Sequence, residues 1–147
     1  MAATWSVPFS STNQWKPKTM DFKLSPEIED LHYRLGMLLY RTGDLTNALN
    51  PLRQFIIFQP DSIQVLESLG EIFMKEYRFS EAIDTYTRLQ NIYPEKLHIN
   101  LNLAESYSQL NDIEKAKKTY EIILLFDDEN YDVMYRLGAI YNELGMY

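Results

Sequence analysis

An all-α solenoid of antiparallel helix pairs is expected from three features of this chain. The sequence repeats at a fixed interval of 34 residues: "YRLG" at 33–36 returns at 135–138, three intervals later. Apolar residues recur at the three-to-four spacing of a helix, and no alternating stretch competes for a strand. Tiny residues hold one register, Gly36, Gly70, Ala104 and Gly138, and alanines hold another, Ala48, Ala82 and Ala116. Two helices approach closely only where the contact carries no bulky side chain, so the first set is expected to meet the second. Such repeats cannot bury their apolar faces singly and do so by stacking.

The elements follow in order. Residues 1–25 show no sustained period and read as an extended or disordered arm, with Trp5, Phe9, Trp15 and Phe22 among Ser, Thr, Asn and Pro. Ser25 and Pro26 then mark a helix start, Ser as cap and Pro at the first helical position, where its missing N–H costs nothing. Periodicity predicts first helices over 26–42, 63–76, 97–110 and 131–144, and second helices over 46–59, 80–93 and 114–127. "TGD" at 42–44, "PDS" at 60–62, "NDI" at 111–113 and "DDEN" at 127–130 supply the turns. Pro60 and Pro94 stop the second helices. Asp128 takes the third such place and is expected to turn the chain through its side chain.

Composition narrows the function. Hydrophobic residues make up 46% of 147, enough for a core, and there is no cysteine, so disulfides and thiolate metal sites are excluded. The net charge of −7 argues against nucleic acid as a partner. The charge is split, about +2 over 1–26 and about −9 over the rest. No apolar run reaches the roughly 18–20 residues of a membrane span, and the N-terminus lacks a secretory pattern; membrane insertion is not expected, and the cytoplasm is the expected compartment. His32 and His98 stand far apart and read as packing or surface residues. "DDENYD" at 127–132 lacks the glycine and ligand spacing of a calcium loop. No nucleophile elbow or phosphate-cradling glycine loop is present, so no enzyme activity, metal or cofactor is expected.

In register, the chain resembles the tetratricopeptide repeat family. Residues 29–62 match through Leu35, Gly36, Leu39, Ala48, Leu52, Phe55 and Pro60. Residues 63–96 match through Leu66, Leu69, Gly70, Phe73, Ala82, Tyr86, Leu89 and Pro94. Residues 97–130 give Leu103, Ala104, Tyr107, Ala116, Tyr120 and Ile123, and a partial repeat over 131–147 gives Met134, Leu137, Gly138 and Tyr141. The resemblance implies a right-handed superhelix over 26–147, with first helices lining a concave groove that holds an extended or helical segment of a partner.

Carried over by register, the groove residues are Tyr33, Met37, Tyr40, Arg41, Glu67, Glu71, Met74, Leu101, Glu105 and Tyr135. The cationic clamp by which some family members grip a C-terminal carboxylate is missing: its places hold Tyr33, Met37, Ser68, His98 and Asn102. An aromatic, methionine-rich and acidic groove implies a partner with lysine or arginine beside apolar anchors. The expected role is protein binding as a scaffold, adaptor or secretion-type chaperone. The arm is itself a candidate ligand, for its own chain or a second copy, because it is slightly basic and carries the anchors Trp5, Phe9, Trp15 and Phe22. The sequence stops as a first helix closes, which favours a fragment of a longer protein. The alternatives are an N-terminal module ahead of a catalytic domain, a lone capping helix, or self-assembly through the arm and the unpaired last helix.

Overall fold

The computed structural model describes residues 25–145, and among them there are seven helices and no strand. They are α1 (Pro26–Thr42), α2 (Leu45–Phe58), α3 (Ile63–Lys75), α4 (Phe79–Ile92), α5 (Leu97–Gln109), α6 (Ile113–Phe126) and α7 (Tyr131–Glu143). Each lies within one residue of its expected bounds. Successive helices pack on one another, and α1 also touches α3, so the layers stack in chain order. The arm anchors Trp5, Phe9, Trp15 and Phe22 lie outside the described residues.

The tiny register works as a close contact, with a different partner from the one expected. A Cβ built on Gly36 would lie 2.5 Å from Leu52 Cδ2, and one on Gly70 would lie 2.7 Å from Tyr86 Cζ. Both partners sit one turn beyond the alanines of the second helix, not at Ala48 and Ala82. Those alanines, with Ala104 and Ala116, are fully buried in their own right. Gly138 meets nothing within 4 Å, because no second helix pairs with α7 among the described residues.

Two apolar clusters make the core. One runs from Met37 through Leu52, Leu69 and Tyr86 to Leu103, and the other from Ala104 through Tyr120 to Ile140. Tyr107 packs against both, so the core is continuous along the stack.

The turns use different devices from those expected. Ser25 accepts from the Ile28 and Glu29 amides through its backbone oxygen, and its hydroxyl makes no capping bond. At "DDEN" the work falls to Asn130 and Asp127 in place of Asp128. Asn130 Oδ1 accepts from the Val133 amide at 3.1 Å, and Asn130 Nδ2 donates to Asp127 Oδ2 at 2.9 Å. At the close of each first helix, one register turns left-handed: Gly43 (φ 85°), Tyr77 (φ 57°), Asn111 (φ 61°) and Gly145 (φ 70°), each 34 residues from the last. Glycine and asparagine adopt this conformation readily, whereas tyrosine is strained there. Tyr77 is 80% exposed and buries little in return. Tyr77→Gly is therefore expected to raise stability by about 1 kcal/mol, read as a higher urea midpoint with unchanged slope.

Candidate partner-binding groove

The first helices α1, α3, α5 and α7 are joined side by side by bonds with a common offset. Tyr33 donates to Gln64 Oε1 at 2.6 Å, and Tyr40 donates to a Glu71 carboxylate oxygen. His98 Nε2 lies 3.1 Å from Glu67 Oε1, and Arg136 Nη1 lies 3.5 Å from Glu105 Oε2. Every pair is 31 residues apart. The repeat is 34, so each bond reaches a position one turn earlier on the next first helix. The seam joins Tyr33, Tyr40, Glu67, Glu71 and Glu105 along the first helices.

The two methionines behave differently from the expectation of a methionine-rich surface. Met37 is buried, its sulfur 3.6 Å from the Ser68 hydroxyl oxygen, and it joins the first core cluster. Met74 is half-buried, its sulfur 2.9 Å from the Ser106 hydroxyl oxygen. Both fill the joints between first helices, a use that suits a flexible, polarisable side chain.

The acids are also engaged. Glu67 is shared by His98 and Lys96, Glu71 by Tyr40, and Glu105 by Arg136 and by Gln109 Nε2 at 2.7 Å. These contacts are exposed, so each holds its geometry by about 1 kcal/mol or less and can be exchanged for a partner's cation. Tyr40 shows the local field. Burial first, then the hydrogen bond and charge of Glu71 and the charge of Glu67, push its phenol up to about 12.

A depression of about 430 Å³ opens between α5 and α7, lined by Leu101, Asn102, Glu105, Tyr120, Asp132 and Arg136. Tyr135, one turn from Tyr131 on α7, is 79% exposed. A second depression of about 400 Å³ lies at the other end, among Tyr33, Phe55, Gln59 and Gln64. There the rings of Tyr33 and Phe55 stand 5.2 Å apart. Arg41 is exposed at the end of α1. Sequence reasoning missed Arg136 and Tyr120. Arg136 was legible as the residue one turn past Asp132 and 31 past Glu105. Asp132 Oδ2 lies 3.0 Å from its Nε and raises the guanidinium's affinity for its proton. Tyr120 was hidden because the register marks it as core.

Among the described residues no helix is long and apolar enough to cross a membrane, and no cluster of acids and histidines is arranged to hold a metal ion.

Comparison with known proteins agrees with this architecture. The tetratricopeptide repeat pattern matches residues 30–62 and 73–139. The chain is 25% identical over 106 residues to the protein CTR9 homolog of Arabidopsis thaliana, covering 71% of this chain and 10% of that one. It spans under a third of the length of the first curated relatives it matches. Among solved structures, MamA AMB-1 superposes with a TM-score of 0.73 at 18% identity, over 80% of this chain and 64% of the other. A tetratricopeptide repeat protein from Parabacteroides merdae superposes with a TM-score of 0.70 at 24% identity, over 82% and 48%. At these identities the structures share the fold alone. Repeat register, helix pairing and sequence pattern agree: this chain, a right-handed solenoid of antiparallel helix pairs, belongs to the tetratricopeptide repeat family.

Proposed function

We propose that this chain binds a segment of another protein along the face of its first helices, as a scaffold, adaptor or secretion-type chaperone in the cytoplasm. The observation that carries the reading is the seam itself. It joins Tyr33, Tyr40, Glu67, Glu71 and Glu105 on one face, with a side-chain-sized depression at each end and the exposed ring of Tyr135 beside one of them. Aromatic rings bury area at small entropic cost, and the three acids attract cations. A partner segment with lysine or arginine beside apolar anchors fits that face; acidic tails do not. The reading is one of binding without catalysis. Curated relatives far longer than this chain support its use as a module within a larger architecture.

Peptides selected from a random library on the immobilised chain test this reading. Enrichment of basic residues next to aromatic or aliphatic ones is expected. Glu71→Lys with Glu105→Lys is expected to weaken the selected peptides by about tenfold or more, roughly 1.4 kcal/mol, with helicity unchanged and a stability loss of about 1 kcal/mol or less for each bond removed. Enrichment of acidic peptides, or equal binding by the reversed-charge variant, overturns it.

A further inference from the structure

α1 carries a stripe of large apolar residues on the side away from α2. Leu31, Leu35 and Leu38 are spaced four and three apart and share one face. They are 63, 46 and 59% exposed. Their counterparts one, two and three repeats later are at most 8% exposed. Residue type does not explain the contrast, since the first set of counterparts is Val65, Leu69 and Ile72. Neighbours do. In each later repeat the stretch immediately upstream is a second helix: α2 ends at Phe58, five positions before α3 opens at Ile63, and α4 and α6 stand likewise to α5 and α7. For α1 the stretch immediately upstream is residues 1–24.

A polar group gives the same indication independently. On α5, the buried Asn100 accepts a hydrogen bond from Gln90 of the upstream helix α4 at 2.6 Å. Two repeats earlier the register of Asn100 falls on His32. The Nδ1 of His32 is buried and has no hydrogen-bond partner among the described residues. The register of Gln90 falls on Phe22, inside the upstream stretch. By register, the apolar stripe and His32 thus both correspond to side chains that meet an upstream second helix elsewhere in the stack.

We infer that residues 1–24 of this same chain fold back over the Leu31, Leu35 and Leu38 face of α1 and cap the solenoid's first end. Trp15 and Phe22 are the two aromatic residues of the arm nearest α1 in sequence. Lys16, Lys18 and Lys23 outnumber Asp21 in the arm, and the first turn of α1 carries the complementary charges of Glu27 and Glu29. Solenoids require such caps, because an end repeat otherwise leaves its stacking face in water. Two aromatic rings of roughly 150–250 Å² each are matched in size to three leucines. This placement takes the arm away from the groove and is independent of what the groove binds.

Both tryptophans of the chain, Trp5 and Trp15, lie in the arm, so their fluorescence reports on it alone. The test uses the full chain with Trp5→Phe, leaving Trp15 as the reporter, across a range of protein concentrations. Emission to the blue of the urea-unfolded chain is expected at every concentration. Leu31→Lys with Leu38→Lys is expected to shift it to the red, to the emission of the unfolded chain, and to raise acrylamide quenching, with helicity unchanged. Should that pair unfold the chain, Phe22→Ser with the same readout serves instead. Emission equal to that of the unfolded chain overturns the inference. So does a blue shift lost on dilution, which assigns the face to a second copy. A blue shift untouched by the substitutions also overturns it, since the arm then rests elsewhere.

Discussion

Gly70→Leu is expected to unfold the middle of the array, at a cost of about 1–3 kcal/mol or more. A single methyl at this position already falls 2.7 Å from Tyr86 Cζ and 3.0 Å from Cε1, well inside contact distance. Tyr86 is 1% exposed and lies inside the first core cluster, so its ring has nowhere to retreat. The same register carries alanine at position 104 with Tyr120 in the place of Tyr86, so one methyl is the largest side chain the stack itself uses there. Gly138→Leu is the control, because that site meets nothing within 4 Å. Leucine is also a better helix former than glycine, by roughly 0.7 kcal/mol. Urea unfolding of both variants should show a large loss for position 70 and none for position 138. Equal losses would mean that α3 and α4 do not meet at Gly70.

Tyr86→Ala is expected to cost about 3–5 kcal/mol, the range for deleting a buried aromatic ring. Tyr86→Phe is expected to hold stability or raise it, because the buried Tyr86 hydroxyl makes no hydrogen bond of good geometry among the described residues, and the Asn102 side chain supports its charged form less than burial opposes it. The two tyrosines also set an alkaline limit. Burial, then the charge of Glu71, raises the Tyr86 phenol, and Tyr40 is pushed up to about 12. Raised values mean the folded chain keeps protons that the unfolded chain releases near pH 10. Stability is therefore whole below about pH 10 and falls as pH climbs toward 12 and beyond. Tyr86→Phe and Tyr40→Phe should each flatten that fall. A loss of stability in Tyr86→Phe at neutral pH would show that the hydroxyl is paired after all.

The helices were legible because one period governs core, spacing and turns together; every boundary follows from 34-residue arithmetic. The contacts across helices were less so. Gly36 and Gly70 announce a close approach, but not that Leu52 and Tyr86 close it, since a helix pair meets along a crossing line and register alone does not fix its phase. The left-handed register was half visible, as Gly43 and Asn111 carry turn chemistry and Tyr77 carries none. That Tyr33 and Glu71 stand along the first helices could be read from the register, while the burial of Met37 could not. Side chains at one register share a direction, but their depth depends on how far each first helix slides past the next.

That slide has a mechanical consequence. The rungs joining α1, α3, α5 and α7 are exposed polar bonds, each of about 1 kcal/mol or less, while the apolar contacts of buried residues such as Leu69 and Ile72 lie deeper. Pulled at its ends, the molecule yields first at the rungs, which water replaces at little cost. It is expected to behave as a weak spring whose coils lengthen before they break, with a curvature that gives under loads that leave every coil intact.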